Sequence, residues 1–447
     1  MTKELWEHQK RDIAMCVSAP KGVFNTSDPG TGKTRVCIEA IRQLNVRTLV
    51  LAPKSILQCA WGNDLDEFAP DITYAVATAS NRAAAFASGA QVVITNHDAI
   101  KWLNKEGKRY LKDFEGGLMI VDESTCYKNP DAQRSKAAAS VRPYFSRCFC
   151  MSGTPTPQGI IDLWHQVFLV DMGELLGGSY YRFRNMTYTG VIKGGFTDWV
   201  EKPGVSDAVA DIIAPITIRN KRDDCMDLPP NHIIKMSVNL TPSHMQKYQT
   251  LKKQSIVELE SGDVNAVNAA ALLGKLLQLA SGAVYDEFGE AHLVDTARYT
   301  TIMDLVDERD HSVVVFNWRH QRDELVKIAE ARNYAYGIID GSVSAEGANS
   351  KRTQIIQDFQ DRKLKCMFIH PKSASHGITL TAGMATIWAS PTYNAEYFEQ
   401  ANARIYRGGQ TRSTETILIS APGTAEPQVY DALFEKRLKM TNLLEML

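Results

Sequence analysis

The sequence has no long hydrophobic run and no excess of charge of one sign. Nowhere do eighteen apolar residues follow one another, so we expect no membrane-spanning helix. Lys and Arg together number 50 and Asp and Glu 51, which gives a formal net charge of −1. The overall charge therefore gives no support for nucleic-acid binding, and any basic binding surface has to be local.

The sequence also lacks a Cys-x-x-Cys pair among its eight cysteines, and the nearby histidines do not have zinc-ligand spacing. The N-terminal residues lack the apolar core of a signal peptide. We therefore expect reduced thiols in a cytoplasmic protein without structural zinc. At 447 residues, 44% of them hydrophobic, the chain is long enough for two or three globular domains.

One short stretch has the composition of a phosphate-binding loop: Ser27-Asp28-Pro29-Gly30-Thr31-Gly32-Lys33-Thr34. An apolar run precedes it and residues with helical spacing follow it, which is the strand–turn–helix context that such a loop requires. The two glycines allow backbone N–H groups to surround phosphate oxygens, and the helix N-terminus adds partial positive charge. Lys33 would reach the β and γ phosphates, and the Thr34 hydroxyl would bind Mg²⁺. Ser27 stands where the strict pattern has glycine.

A second stretch is an apolar run that ends in two carboxylates, Asp122 and Glu123. Carboxylates at the end of a buried strand are costly unless they face a cleft or a metal. We predict that Asp122 binds the same Mg²⁺ as Thr34, and that Glu123 positions or deprotonates the attacking water. The alternative is that the two acidic residues simply open a helix. Upstream, Gln9 offers an amide donor and acceptor that could pair with an adenine edge, although an exposed polar position on a helix is the usual explanation of such a residue taken alone.

Apolar runs alternate with helical patterns along both halves of the chain, which predicts doubly wound α/β sheets. The strands predicted in the first half lie at residues 22–24, 47–53, 91–98, 118–124 and 147–152. Those predicted in the second half lie at residues 232–240, 311–316, 336–340, 365–369, 386–388 and 415–419. Lys54, Thr95 and Asn96 follow or end first-half strands, where ligands of such sheets bind, although ordinary turns and caps explain each of them equally well.

The domain boundaries follow from changes in composition. We predict a first domain over residues 1–225, a linker over 226–240, where two prolines follow a charged run, and a second domain over 241–447. Residues 173–205 are rich in glycine and aromatic residues and have no periodicity, which predicts an irregular surface element. That element could contact a partner or simply cover the first domain.

The second half has a distinctive basic stretch between Gln400 and Gln410. Arg404 and Arg407 are three residues apart, so on a helix they would share a face, with Gln400 one turn earlier. Paired guanidinium groups suit phosphate oxygens or carboxylates, and a solvated basic face is the alternative. The first-half loop has no arginine of its own that could act on a phosphate, which favours the phosphate role.

In this order the motifs resemble those of superfamily 2 helicase-like ATPases, specifically Snf2-like DNA translocases of a compact bacterial or phage type. The other matching pieces are Leu51-Ala52-Pro53, Ile94-Thr95-Asn96, Met151-Ser152-Gly153-Thr154-Pro155, Val315-Phe316, Asp340-Gly341-Ser342 and residues 373–382. The Snf2-like character rests on the stretch from Arg404 to Gln410 and on residues 219–230. The superfamily tolerates a small residue other than glycine at the first loop position, which accounts for Ser27.

One departure from the family pattern is at the second residue after the Asp-Glu pair. The family usually has Asp-Glu-x-His, whereas Thr125 stands at the histidine position here. The resemblance therefore leads us to expect that the coupling between this box and the Ser152-Gly153-Thr154 segment is made differently.

The resemblance implies two RecA-like lobes, each a mostly parallel sheet flanked by helices, with ATP and Mg²⁺ in the cleft between them. It implies that Gln9 reads adenine, and that Gln400, Arg404 and Arg407 act in hydrolysis when the second lobe closes. It also implies that double-stranded DNA is held through its phosphates. The contacts implied for DNA are Lys54, Thr95, Asn96, Lys372 and Ser373.

The main hypothesis is a monomeric, DNA-stimulated ATPase that moves along double-stranded DNA. A strand-separating or branch-migrating helicase, acting on single-stranded or branched DNA or on RNA, is a close alternative, since residues 173–205 could form its wedge. A nucleotide-switched interaction module with low turnover is a third possibility. Against it, every residue type needed for hydrolysis is present.

Overall fold

The structure is a computed structural model that describes residues 4–193, 196–261, 266–342, 351–374 and 378–446. The chain divides into two compact units. The first contains the residues up to Asp227 together with those from Arg437 onward, and the second contains most of the residues from Leu228 to Lys436. The division falls close to the predicted domain boundary at residue 225.

The first unit is built on a parallel sheet. Its strands are β1 Gly22–Asn25, β2 Thr48–Ala52, β3 Tyr74–Ala77, β4 Val92–Asn96, β5 Gly117–Asp122, β6 Phe145–Met151, β7 Tyr188–Lys193, β8 Phe196–Glu201 and β9 Thr217–Ile218. Seven of them form the sheet, in the order β3-β4-β2-β5-β6-β1-β9. All five strands predicted for this half are present, whereas β3 and β9 were not predicted.

Helices cover both faces of this sheet, because its strands are apolar on both sides. Along β2, Leu49 and Leu51 pack into one core cluster, and Val50 and Ala52 pack into the other. The helices are α1 Glu7–Ser18, α2 Lys33–Leu44, α3 Asn63–Phe68, α4 Arg82–Ala87, α5 Ala99–Leu103, α6 Gln133–Val141, α7 Leu163–Asp171, α8 Tyr180–Thr187, α9 Val205–Ile213 and α10 Arg222–Cys225.

Residues 173–205 differ from the irregular element that the sequence predicts. They contain α8 and an antiparallel hairpin formed by β7 and β8. Gly190 pairs with Trp199 across the hairpin, and a Cβ at Gly190 would lie 2.8 Å from Cγ2 of Thr197. The guanidinium of Arg184 lies 3.8 Å from the centre of the Trp199 ring. Glycine is needed for this close packing, and it also hides the strand pattern in the sequence.

The second unit has its own parallel sheet. Its strands are β10 Asn231–Ser237, β11 Ala283–Tyr285, β12 Ala291–Leu293, β13 Ser312–Val315, β14 Tyr336–Ile339, β15 Cys366–Ile369, β16 Ala385–Trp388 and β17 Thr414–Ser420. Six of them form the sheet, in the order β10-β17-β16-β13-β15-β14, and β11 pairs with β12 in an antiparallel ribbon. Residues 226–240, predicted as a linker, thus include β10, which forms the edge of this sheet through seven residue pairs with β17.

The helices of the second unit flank its sheet in the same manner. They are α11 Pro242–Ser261, α12 Ala266–Ala280, α13 Ala297–Asp307, α14 Arg319–Ala331, α15 Lys351–Gln360, α16 Pro371–Ala374, α17 Ala395–Asn402 and α18 Glu426–Glu445. The residues of α18 from Arg437 onward belong to the first unit. Val313 and Val315 of β13 pack into one core cluster, and Val314 packs into the other. The predicted fold class of two α/β lobes, each with a mostly parallel sheet, is therefore confirmed.

The sequence led us to expect no membrane-spanning helix and reduced thiols. In the part that the structure describes, no helix is both long enough and apolar enough to cross a membrane. The cysteines with described side chains, which are all but Cys59, form no disulfide.

Candidate active site

The predicted phosphate loop connects β1 to α2. Gly30 and Gly32 have φ values of +90° and +83°, a backbone region that residues with a side chain rarely adopt. A Cβ at Gly32 would also lie 2.2 Å from Nε2 of Gln9. The positive φ favours glycine at position 32, and a larger residue there would also displace the end of the Gln9 side chain.

Lys33, the first residue of α2, turns its side chain back onto the loop. Its Nζ donates to the carbonyl oxygens of Ser27 at 2.7 Å and Asp28 at 3.0 Å. Burial lowers the pKa of Lys33, and the nearby carboxylates of Glu123 and Asp122 oppose this change. The ammonium group is thus held at the loop, where the same donors could bind phosphate oxygens.

The predicted Asp-Glu pair lies at the carboxyl end of β5. Burial raises the pKa of Asp122, and a hydrogen bond from the indole Nε1 of Trp61 to Oδ2 of Asp122, 2.9 Å long, opposes this change. Glu123 has a φ of +55°, which is unusual for a residue other than glycine. The backbone thus turns sharply immediately after Asp122. Sequence analysis missed Trp61, because no local pattern connects it with a carboxylate so far along the chain.

The donor set fits Mg²⁺ bound together with phosphates better than it fits a free metal ion. Thr34 supplies a hydroxyl and Asp122 a carboxylate whose desolvation a cation would offset. Among the described residues, no group of three or more His, Cys, Asp or Glu side chains could hold a metal ion. Mg²⁺ usually takes one or two protein ligands and completes its shell with water and phosphate oxygens.

Thr125, which stands where the family usually has histidine, is hydrogen-bonded to the Ser152-Gly153-Thr154 segment. Its Oγ1 lies 2.6 Å from Oγ of Ser152 and donates to the carbonyl oxygen of Thr154 at 3.1 Å. The backbone N–H of Thr154 donates to Oγ of Ser152 at 3.1 Å. Every group is satisfied when Ser152 donates to Thr125, which closes a ring of three hydrogen bonds. The ring joins the turn after β5 to the segment after β6.

The same segment after β6 contacts the phosphate loop. The Ser152 N–H donates to the carbonyl oxygen of Asn25 at 3.0 Å. A Cβ at Gly153 would lie 2.9 Å from Cδ of Pro29, so only glycine allows this approach. The Asp-Glu box, the Ser-Gly-Thr segment and the phosphate loop are therefore in continuous contact.

The N-terminal end of α1, which carries Gln9, lies beside the loop. Oε1 of Gln9 accepts from the N–H of Trp6 at 2.9 Å, so its acceptor is used within the helix. His8 is bonded through Nε2 to the carbonyl oxygen of Thr31 at 2.9 Å. Trp6 is 43% exposed, and its ring lies close to Gly32. This exposed aromatic ring was missed, although its position three residues before Gln9 is visible in the sequence.

The basic residues predicted to act on phosphate lie in the second unit, but not on a helix. Gln400 is on α17, which ends at Asn402. Arg404 and Arg407 lie in the turns that follow, where the N–H of Leu380 donates to the carbonyl oxygen of Arg404 at 2.9 Å. The two guanidinium groups nevertheless come together, since Nη1 of each donates to the carbonyl oxygen of Ile378, at 3.3 and 3.2 Å.

The residues predicted to contact DNA have different surroundings. Thr95 is buried and donates to the carbonyl oxygen of Ala77 at 2.9 Å, which does not fit a contact with DNA. Lys54 is exposed, and Asn96 lies at the same carboxyl edge of the first sheet. In the second unit, Lys372 is exposed and Ser373 is half-buried. Residues 375–377 of the matching stretch 373–382 lie outside the described residues.

Models of two protein families match this chain. The model of a family described as SNF2-related domain matches residues 8–282, and that of a helicase conserved C-terminal domain matches residues 297–409. The chain belongs to the SNF2-related family. The family resemblance inferred from the motifs is thus confirmed.

Members and relatives of the SNF2-related family match almost the whole chain. Protein p41 of Acyrthosiphon pisum secondary endosymbiont phage 1 is 27% identical, over 93% of this chain and 93% of its own length. The chromodomain-helicase-DNA-binding protein 1-like of Danio rerio is 22% identical, over 96% of this chain and 42% of its own length. An ATP-dependent helicase of Mycoplasma pneumoniae is 24% identical, over 93% of this chain and 39% of its own length. The chain thus spans less than half the length of the last two.

A solved structure of similar type is the Sulfolobus solfataricus SWI2/SNF2 ATPase core in complex with dsDNA. It is 22% identical, with a TM-score of 0.47, and the match covers 99% of this chain and 93% of that one.

Proposed function

We propose that this SNF2-related chain hydrolyses ATP, that double-stranded DNA stimulates the hydrolysis, and that the protein moves along the duplex. The observation that carries the proposal is the convergence of Lys33, Asp122 and Glu123. Lys33 follows the loop that leaves β1, and Asp122 and Glu123 lie at the carboxyl end of β5; β1 and β5 both pair with β6. A phosphate loop, a carboxylate that could hold Mg²⁺ and a second carboxylate next to it are the components that hydrolysis of a nucleoside triphosphate requires.

Each residue has a defined role in this proposal. Lys33 would bind the phosphates, and Thr34 and Asp122 would hold Mg²⁺. When bound, Mg²⁺ neutralises phosphate charge and polarises the phosphoryl oxygens. Glu123 orients the attacking water and accepts its proton. The strained backbone at Glu123 sets its direction, and the ring through Thr125 keeps this turn in register with the loop.

The charge that accelerates hydrolysis is proposed to come from the second unit. Arg404 and Arg407, which share the carbonyl oxygen of Ile378, would bind the γ-phosphate as it transfers, and Gln400 would support them. An arginine supplied in this way accelerates phosphoryl transfer by roughly 10³–10⁵-fold. Hydrolysis would then depend on the delivery of these side chains, and DNA binding would control that delivery.

Two observations support duplex DNA as the partner. The relatives that match most of this chain include proteins named as DNA-binding and as helicases. Exposed Lys54 and half-buried Asn96 share the carboxyl edge of the first sheet, and exposed Lys372 follows β15 in the second. Contacts of this type bind phosphates without reading base sequence.

A strand-separating helicase is the second candidate. The hairpin of β7 and β8 favours it, because Val191, Ile192 and Val200 on its strands are exposed, Ile192 by 81%. Exposed apolar side chains on a hairpin could separate base pairs. This hairpin lies within residues 173–205, the region that we considered from the sequence as a strand-separating wedge.

The ATP hydrolysis rate should be measured without nucleic acid and with duplex DNA, single-stranded DNA or RNA. We expect the largest stimulation with duplex DNA, and none in Glu123→Gln. Stimulation by single-stranded DNA alone would favour the helicase. A rate that no nucleic acid changes would overturn the translocase proposal.

A further inference from the structure

The phosphate loop is held by a segment that the proposed mechanism does not use. This segment, Arg219 to Arg222, follows β9, the strand that pairs with β1. Asn220 is its central residue and only 5% of its surface is exposed. The backbone N–H of Asn220 donates to Oγ of Ser27 at 3.0 Å, and its Nδ2 donates to the same oxygen at 3.1 Å. Its carbonyl oxygen accepts from the N–H of Asp28 at 3.0 Å.

The other contacts of Asn220 anchor it to α1. Its Nδ2 also donates to Oδ2 of Asp12 at 2.6 Å, and its Oδ1 accepts from Nη2 of Arg11 at 2.6 Å. Burial raises the pKa of Asp12, and the hydrogen bond from Asn220 opposes this change. One buried amide thus joins the phosphate loop to the helix that carries Gln9.

The residues on either side of Asn220 hold the next loop residue. Arg219 donates through Nη1 to Oδ1 of Asp28 at 2.6 Å and to the carbonyl oxygen of Thr26 at 2.7 Å. The N–H of Arg222 donates to Oδ2 of Asp28 at 3.0 Å. Both carboxylate oxygens of Asp28 and the hydroxyl of Ser27 are therefore bound to this segment.

These contacts fall on the two residues that orient the lysine of the loop. The carbonyl oxygens of Ser27 and Asp28 are the acceptors for Nζ of Lys33. A shift of either residue would move the point from which the ammonium group reaches a phosphate. A serine at the first loop position, where the common pattern has glycine, is what gives Asn220 a side chain to bind.

We propose that Asn220 is a positioning residue for nucleotide binding, which holds the phosphate loop through the Ser27 hydroxyl and braces it against α1. This inference rests on the proposed ATP site. A contribution to folding alone is the competing explanation, since a buried amide with several hydrogen bonds also stabilises a fold. The two explanations differ in what happens to nucleotide affinity.

The test is steady-state ATP hydrolysis of the full chain with saturating duplex DNA, together with the apparent melting temperature. For Asn220→Ala we expect the KM for ATP to rise by roughly tenfold, the size of one or two lost buried hydrogen bonds, with kcat within about twofold. Asn231→Ala is the matched control, because Nδ2 and Oδ1 of Asn231 bond Thr416 and Thr414 in the second sheet. This control should lower the melting temperature without changing the KM.

A double-mutant cycle with Ser27→Ala makes the assignment specific. Ser27→Ala alone should raise the KM for ATP. The double variant Ser27→Ala, Asn220→Ala should raise it by less than the two single effects combined, because each single variant already removes the bond from Nδ2 of Asn220 to Oγ of Ser27. Ser27→Ala also decides the question if Asn220→Ala does not fold.

Additive effects in the cycle would overturn the inference, and so would an unchanged KM for ATP in single variants that fold. In either case, ATP hydrolysis by the wild-type protein would still support the proposed ATP site. A wild-type protein that does not hydrolyse ATP would overturn the proposed function and this inference with it.

Discussion

Replacing Thr125 with valine removes one hydroxyl and keeps the shape of the side chain. That hydroxyl closes the hydrogen-bonded ring between the turn after β5 and the segment after β6. In Thr125→Val the Ser152 hydroxyl and the Thr154 carbonyl each lose a partner. Both residues are buried, with 1% and 2% of their surface exposed, so water cannot replace the lost bonds.

The expected cost follows from these two unsatisfied groups. Each buried polar group left unsatisfied costs about 1–3 kcal/mol of the free energy of unfolding, so two cost about 2–6 kcal/mol. For a unit of this size, 1 kcal/mol corresponds to roughly 2–4 °C, so the apparent melting temperature should fall by about 4–24 °C. Because the ring is proposed to couple the Glu123 turn to the loop, the DNA-stimulated kcat should fall by roughly 5–150-fold, which corresponds to about 1–3 kcal/mol of transition-state stabilisation.

The assay is ATP hydrolysis at saturating duplex DNA, with the KM for ATP and the melting temperature measured in parallel. The KM should stay close to that of the wild type, because Lys33 and its acceptors are unchanged. Thr125→Ser keeps the hydroxyl and is the matched control, with kcat near the wild-type value. A lower melting temperature with unchanged kcat in Thr125→Val would refute the coupling and leave the ring a role in folding only.

The remaining predictions use single variants or pH. Lys33→Ala should weaken nucleotide binding, measured with a fluorescent ATP analogue, and unchanged affinity would contradict the assigned role. Glu123→Gln should bind ATP but not hydrolyse it. Arg407→Ala should keep its affinity for ATP and lose roughly 10³-fold or more of its DNA-stimulated rate, and normal hydrolysis would exclude the arginine role. Burial lowers the pKa of His165 to about 4, so between pH 6.5 and 4 the unfolded chain binds a proton that the folded state does not. His165 should therefore contribute about 2 kcal/mol to the loss of stability between pH 7 and 5, and the loss should be smaller by that amount in His165→Gln, measured by urea unfolding.

The buried parallel strands of the fold were predictable, and the reasons are physical. A strand such as β2 is covered on both faces, so its sequence is a continuous apolar run. β3 is half-buried and β9 has two residues, so neither produces such a run. The hairpin of β7 and β8 was missed because glycine at its close contacts interrupts the pattern. β10 was taken for part of a linker, although the sequence also showed its strand-like run, because two prolines directly precede it.

The parts of the site that are local in sequence were predictable as well. The loop and the Asp-Glu pair are recognisable because their residues are neighbours and follow strands. Trp61, the ring through Thr125 and the contacts of Asn220 join residues far apart in the chain, and no spacing rule shows them. The helix expected to carry Arg404 ends at Asn402, where a backbone bond from Leu380 to Arg404 holds a turn instead. Tertiary hydrogen bonding overrides helical spacing there.

Movement along intact duplex DNA is the central claim, and displacement of a third strand from a DNA triplex measures it most directly. The protein would start on a duplex arm and encounter the third strand only by moving. The account predicts that the third strand is released with ATP, but not with a non-hydrolysable analogue or in Glu123→Gln, while the duplex stays paired. Hydrolysis of ATP without release of the third strand, or release accompanied by separation of the duplex, would contradict it.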